Sequence, residues 1–326
     1  MNVLITGGAG YIGSVTAQAV LERGHRVVVL DDLSSGHREA VPTGATFVEA
    51  DIADGDAVAA ALAGHGVDAA VHFAALSLVP DSMKRPLAYY RNNVSGSVAL
   101  LQALVDSGVE RFVLSSTAAV YGTPASVPIP EHADLRPENV YGETKLAVER
   151  LLGWLARTRG LGYAALRYFN AAGASAVHGE DHDPETHLIP IVLQAAAGLR
   201  DHVAVYGSDY DTPDGSAVRD YVHVLDLARA HVLALEAIEP GVGNAYNLGS
   251  GTGYSVRQVV EVCREVSGAN IAVREAPRRT GDPAVLVADS SRARAHLGWV
   301  PRHESLKAMV ASAWRWRQAN PDGYES

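Results

Sequence analysis

The chain has 326 residues, 48% of them hydrophobic and 20% charged, with a formal charge of −10 at neutral pH. This is ordinary globular composition for one large domain or two fused lobes, and the acidic balance argues against nucleic acid or an anionic membrane as partner. The single cysteine, Cys263, excludes an internal disulfide framework and fits a reducing compartment. No apolar run reaches the ~18–20 residues of a membrane span, and no basic flank with an apolar stretch reads as a signal peptide, so a cytoplasmic protein is expected.

Val3–Thr6 is a short apolar run that predicts the first strand. Gly7-Gly8-Ala9-Gly10-Tyr11-Ile12-Gly13 follows it and opens a helix near Tyr11–Gly24. Without Cβ atoms, Gly7, Gly10 and Gly13 let a pyrophosphate approach the backbone and the helix N-terminus, which makes this turn, with Tyr11 and Ile12, a candidate dinucleotide site. The second strand, Arg26–Leu30, runs into Asp31, about 20 residues past the turn. A carboxylate there accepts from ribose hydroxyls and repels a 2′-phosphate. NAD is the expected cofactor, although Arg38 in the next loop would suit NADP.

The third strand, Thr46–Glu49, leads to Asp51 and Ile52, placed where an adenine would lie, and then to a helix over Asp54–Gly64. The fourth, Ala69–Phe73, ends in Phe73-Ala74-Ala75, small enough for close cofactor approach. A helix over Pro86–Ser107 carries Asn92, which suits either the nicotinamide side or a buried structural role. Strands Arg111–Ser116 and Ala164–Arg167 flank a helix over Tyr141–Gly160. Strands alternating with helices predict an α/β fold: a Rossmann-type doubly wound parallel sheet with ligands at its carboxyl edge.

Tyr141 and Lys145 lie one turn apart on the last of these helices, so they share a face. A free phenol titrates near ~10, and a cation beneath it would lower that value toward the working range of a base.

Beyond residue 173 the alternation loosens. Gly173–Thr186 reads as an exposed loop. Strands at Val203–Tyr206 and Ala245–Leu248 mix with helices at Leu225–Ala237, Val256–Val266 and Ser305–Arg317. The expected division is an NAD-binding domain over 1–172, with about 225–248 returning to it, and a smaller mixed α/β substrate-binding lobe over 173–326. His178, Asp181, His182, Asp183 and His187 match no standard structural zinc spacing, and no metal is expected. Cys263 sits on an amphipathic helix as a small hydrophobe.

Taken together, the chain resembles the UDP-glucose 4-epimerase family of the extended short-chain dehydrogenase/reductase superfamily. The resemblance runs from Asn2 almost to the last residue. Beside the glycine turn it rests on His72-Phe73-Ala74, Tyr89–Val94, Ser115–Gly122, Tyr141–Lys145 and Arg167-Tyr168-Phe169-Asn170, then on Val218–Val224, Tyr246–Gly249 and Pro277–Asp282. It implies that Tyr141 is the catalytic base, Lys145 its electrostatic partner on the nicotinamide ribose, and Thr117 a hydrogen-bond partner of the reacting hydroxyl, with Phe169 beside the cofactor. Arg219 and Arg279 would bind the UDP diphosphate. Asp282 would accept from the uridine ribose, and Asn170 would contact a phosphate or sugar oxygen. Ala204 and Tyr206 would flank the uracil, and His187 and Leu188 would border the sugar–phosphate.

The implied reaction oxidises C4, lets the 4-keto sugar turn over, and returns hydride to its other face. Ala118 and Ala119 stand where related 4,6-dehydratases carry Asp-Glu, so elimination lacks its acid and base. Three positions depart from the family pattern: His187 for an Asn, Ser77 for a Lys near the pyrophosphate, and Leu286 for a Tyr that narrows the sugar pocket. The last leaves room for an N-acetylated sugar. UDP-N-acetylhexosamines and UDP-pentoses are alternative substrates, and an NAD-sensing module is the non-enzyme alternative, although sensors often lack the Tyr and Lys. A homodimer is expected, through the helices at Pro86–Ser107 and Tyr141–Gly160.

Overall fold

The computed structural model describes residues 1–279 and 282–324; Thr280 and Gly281 of the Pro277–Asp282 motif lie outside the described residues. The first half runs β1 (Asn2–Thr6), α1 (Tyr11–Glu22), β2 (Arg26–Asp31), β3 (Thr46–Glu49), α2 (Gly55–His65), β4 (Ala69–His72), α3 (Val79–Lys84), α4 (Pro86–Tyr89), α5 (Ser97–Asp106), β5 (Arg111–Thr117), α6 (Val140–Arg159) and β6 (Gly162–Tyr168). The rest comprises β7 (Asn170–Ala172), α7 (Leu188–Ala196), β8 (Val203–Tyr206), β9 (Val218–His223), α8 (Val224–Ala237), β10 (Gly243–Leu248), β11 (Gly253–Ser255), α9 (Val256–Ser267), β12 (Val273–Ala276), β13 (Val285–Leu286), α10 (Ser291–Leu297) and α11 (Leu306–Ala319).

Seven strands form one sheet in the order β3–β2–β1–β4–β5–β6–β10, and every pairing is parallel. Alternate residues face opposite layers, and both layers are covered. Val3, Ile5, Val29 and Val71 pack with Ala17 and Val20 of α1 and Leu227 and Ala230 of α8. Leu4, Leu30 and Leu114 pack with Leu62 of α2, Leu104 of α5 and Val148 and Leu152 of α6. Burial on both faces explains why these strands read as continuous apolar runs. Strand β10 returns from beyond residue 240 to pair with β6.

Two small sheets lie after β6. Strand β9 pairs with β7, β11 and β13, and β8 pairs with β12. Ile189 and Val192 of α7, Val259 and Cys263 of α9, and Met309 and Val310 of α11 share one apolar cluster. Several of these elements have no clear period in sequence. Leu188–Ala196 is apolar on nearly every face, so no amphipathic stripe marks it as a helix. The segment expected as one helix over Pro86–Ser107 is interrupted: Tyr90–Gly96 is a π-helical turn between α4 and α5. Asn93 turns inward there, accepting from the Leu76 N–H at 2.8 Å and donating to the Leu76 carbonyl at 2.9 Å.

Helix α6 begins where the Asn139 side chain accepts from the Gly142 N–H at 2.9 Å, and ends at the left-handed Gly160. Glu143 in its first turn and Arg157 and Arg159 in its last complement the helix dipole. Its inner face is tied down by a buried ion pair. The Glu149 carboxylate accepts from Arg167 Nη2 at 2.6 Å and from Ser116 Oγ at 2.5 Å, so α6, β5 and β6 are fastened together.

At the end of β4, His72 is buried between Thr6 Oγ1 (2.7 Å) and Ser97 Oγ (2.9 Å). Burial, with Lys145 adding to it, pushes its imidazole down to about 3, against roughly 6.5 in an unfolded chain. Between those values the unfolded chain binds a proton that the native chain does not, so stability is lost as pH falls through this window. The contribution is up to ~1.4 kcal/mol per pH unit. Urea unfolding at pH 6.5 and pH 5 is expected to show wild type losing about 2 kcal/mol more than His72→Gln; parallel losses would overturn this assignment.

Candidate active site

The carboxyl edge of the large sheet opens into a cavity of about 1420 Å³. Every site residue singled out from sequence lines it. The first half of the chain contributes Gly7, Gly10, Tyr11, Ile12, Gly13, Asp31, Asp51, Ile52, Phe73, Ala74, Ala75 and Asn92, followed by Thr117, Tyr141 and Lys145. The second half brings Phe169, Asn170, His187, Leu188, Ala204, Tyr206, Arg219, Arg279, Asp282 and Leu286 to the same space.

The glycine turn is shaped as a cradle. A Cβ on Gly13 would overlap the Gly7 carbonyl oxygen, so the first turn of α1 can close onto β1 only with glycine there. Gly10, the N-cap of α1, supplies no side-chain acceptor, which leaves the helix amides facing the cavity. Asp31 braces the turn: its Oδ2 accepts from the Ala9 N–H at 2.9 Å and its Oδ1 from the Leu33 N–H at 3.0 Å. Uncapped helix amides beside a strand-end carboxylate fit the diphosphate and ribose of NAD.

Thr117 ends β5, and its Oγ1 accepts from the Ala119 N–H at 3.1 Å. A Cβ on Gly142 would stand 2.6 Å from the Ala119 carbonyl oxygen, so the glycine between Tyr141 and Glu143 lets α6 sit directly on this turn. Tyr141 is therefore held beside Thr117, with Ala118 and Ala119 in the cavity wall and no carboxylate at either position.

The electrostatics correct one expectation. Burial pushes the Tyr141 phenol well above its ordinary value, Tyr168 adds to the rise, and only the Thr117 hydroxyl opposes it. Lys145, 3% exposed, is pushed down to about 8 by burial while Glu149 holds it up. The helical spacing puts phenol and ammonium on one face, yet burial is the largest influence on both and favours the uncharged form of each.

On the substrate side, Arg219 forms an ion pair with Asp282 and donates to the Val218 carbonyl at 2.7 Å. The Arg279 guanidinium lies 4.1 Å from the centre of the Tyr206 ring. Expected to hold separate parts of a ligand, these residues also hold one another. Asn170 Nδ2 donates to the Asp220 carbonyl at 2.7 Å. Asn92 borders the cavity and donates to Asn93, and the buried structural role falls to Asn93.

Sequence reading missed several wall residues. Tyr168, hydrogen-bonded to Ser115 Oγ at 2.7 Å, ends β6 in the cavity; its place between Arg167 and Phe169 was a usable signal. Glu180 and Glu185 also line it, and they join His182 and His187 in one cluster. Burial would lower both imidazoles, but the two carboxylates hold His187 up at about 10 and His182 up at about 9. His178 and Asp183, grouped with them by sequence, are not members.

The sequence model of the NAD dependent epimerase/dehydratase family matches residues 3–249. A UDP-glucose 4-epimerase of Halalkalibacterium halodurans is 50% identical over 329 aligned positions, covering 100% of this chain and 98% of the relative. A crystal structure of a UDP-glucose 4-epimerase superposes with a TM-score of 0.97 at 46% identity, covering all of both chains. A Stenotrophomonas maltophila UDP-glucose 4-epimerase, solved with NAD and formylated UDP-arabinopyranose, gives 0.95 at 44% identity, covering 98% of this chain and 99% of its own. A cradle suited to NAD and a Tyr–Lys–Thr group at one sheet edge, with likeness along the whole length, establish that the chain belongs to the NAD-dependent epimerase/dehydratase family.

Proposed function

We infer that this chain inverts C4 of a UDP-sugar, interconverting UDP-galactose and UDP-glucose, as in galactose metabolism. The observation that carries this reading is the convergence of Tyr141, Lys145 and Thr117 on one cavity wall where alanines occupy positions 118 and 119. Tyr141 takes the proton of the sugar 4-OH and later gives it back, and Thr117 orients that hydroxyl. NAD held by the Gly7–Gly13 turn and Asp31 would supply the acceptor and donor of the C4 hydride, and its positive charge would offset the burial penalty on the phenolate. With no carboxylate beside Thr117 to remove a second proton, the 4-keto sugar has reduction as its outlet. Arg219 and Arg279 supply the local positive charge that a diphosphate requires in an acidic chain. The NAD-binding part takes in residues 1–172 with the return of about 225–248, and residues 173–326 form the substrate side. An NAD-sensing module would have no use for the paired Tyr141 and Lys145.

Leu286 favours a wider substrate range. It lies on β13 in register with Arg219 and lines the cavity, where a larger residue would narrow the sugar pocket. N-acetylated UDP-sugars fit this reading, and the arabinopyranose bound by the Stenotrophomonas relative extends it toward UDP-pentoses.

Among the described residues no helix is long and apolar enough to cross a membrane. A buried, free Cys263 supports a cytoplasmic setting. Leu87 on α4 is 80% exposed and Trp154 on α6 is 61% exposed, and Met83 and Tyr90 are exposed as well. Large apolar side chains left exposed on these packed helices support a homodimer.

Incubating purified protein with UDP-galactose and no added NAD is expected to yield UDP-glucose; NADH accumulating in step with product would indicate a dehydrogenase instead. In Tyr141→Phe, kcat should fall about 10²–10⁴-fold with bound cofactor retained. UDP-GlcNAc should be turned over by the wild type and lost roughly 10–200-fold in Leu286→Tyr, with UDP-galactose conversion preserved; no wild-type turnover would end the wider-range reading. Sedimentation should give twice the 34.4 kDa chain mass, reduced to the monomer by Leu87→Glu.

A further inference from the structure

The loop from Glu180 to His187 folds four donor side chains onto one point. One ligand atom each from Glu180, His182, Glu185 and His187 lies within 4.8 Å of all the others. His187 Nδ1 is 2.7 Å from a Glu180 oxygen and 3.2 Å from a Glu185 oxygen; His182 Nδ1 is 3.3 Å and 3.8 Å from oxygens of the same two residues. Tetrahedral zinc with bonds of about 2.0–2.2 Å spaces its ligand atoms roughly 3.3–3.6 Å apart. The four distances straddle that spacing.

Two further observations separate this group from a chance meeting of charges. The carboxylates are nearly withdrawn from water, with side chains 8% and 2% exposed, and so require positive charge beside them. His182 Nδ1 is buried yet makes no hydrogen bond with either, although both are close. Glu185 is also held in place, its Oε1 accepting from the Thr186 and His187 N–H groups at 2.6 and 2.7 Å, the kind of outer support that orients a metal-ligating carboxylate.

We propose that Glu180, His182, Glu185 and His187 form a binding site for one divalent transition-metal ion, with zinc the best match. Two imidazoles and two carboxylates make an N2O2 set suited to zinc, and the two negative charges neutralise the ion within the loop. A closed His–Glu hydrogen-bonded box is the competing occupant, reaching neutrality with two protons. The sequence missed the site because half of its donors are glutamates, in a spacing that no standard zinc pattern contains.

The ion is a brace in this proposal, not a Lewis acid on the sugar. The loop is already fastened at its margins. Tyr11 Oη donates to the Gly173 carbonyl at 2.5 Å, and the Asp181 carboxylate accepts from the Tyr324 N–H at 2.9 Å. Binding would fasten the stretch that follows Asp181, which carries Thr186, His187 and Leu188 into the cavity wall.

The test needs neither substrate nor turnover, so its result is independent of the epimerase reading. Tag-free protein is stripped with a chelator and titrated with Co²⁺. One equivalent should bind per chain and give the intense visible absorption of tetrahedral cobalt, without the thiolate charge-transfer band that Cys263 would produce. Zn²⁺ should bleach the colour and raise the melting temperature. His182→Gln and Glu185→Gln should each weaken Co²⁺ binding by about 100-fold or more. Failure of stripped wild-type protein to take up an equivalent, a weak octahedral spectrum, or undiminished binding in His182→Gln would overturn the proposal in favour of the protonated box.

Discussion

The Glu149 carboxylate, buried against Arg167 and Ser116, connects α6, the helix of Tyr141 and Lys145, to the two strands beneath it. Such a pair adds little net stability over an apolar packing of the same volume, but removing one partner strands a charge in the core. Its value here is positional. Ser116 precedes Thr117 in β5, and Glu149 lies one turn beyond Lys145 in α6, so the interaction fixes the relative height of strand and helix where Thr117, Tyr141 and Lys145 line the cavity. Arg167 extends the same network to Tyr121 at 2.9 Å, and Tyr121 continues to Asn247 of β10 at 2.7 Å. Asn93 on the π turn reaches Thr144 from the other side at 3.1 Å. The helix is thus located by polar contacts on its buried face, while Leu146, Val148 and Leu152 fill the apolar space between them.

That placement carries an electrostatic consequence. Tyr141 and Lys145 are both buried beside the cavity, and burial disfavours the charged state of phenol and amine alike. The site therefore holds a phenol reluctant to ionise beside an amine that gives up its proton more readily than usual. Positive charge entering the cavity would shift this balance. His72, held neutral between Thr6 and Ser97, keeps another positive charge away from the same region.

The substrate side is organised differently, by loops braced across long stretches of chain. Arg219 on β9 meets Asp282 just before β13. Near the C-terminus Tyr324 stacks on His37, ring centres 5.0 Å apart, while its backbone amide is held by Asp181. The turn after β2 is thereby tied to the loop that carries His182 and His187. Loops from the two halves of the chain are thus linked through Tyr324.

Local chemistry made much of this legible. Strands buried on both faces announce themselves as apolar runs, a glycine turn followed by a strand-end aspartate marks a dinucleotide cradle, and Tyr141 and Lys145 share a face by helical geometry alone. The large sheet, its carboxyl-edge cavity and the meeting of Thr117, Tyr141 and Lys145 there follow from signals a few residues long. Beyond residue 173 such signals thin out. Leu188–Ala196 is too evenly apolar to show a period, and the short strands around β9 are defined by partners distant in sequence. Tertiary structure alone decided that Arg219 would meet Asp282, that burial would raise the Tyr141 phenol, and that two glutamates would join two histidines. Each depends on distances and desolvation set by packing between remote segments, which residue order does not encode locally.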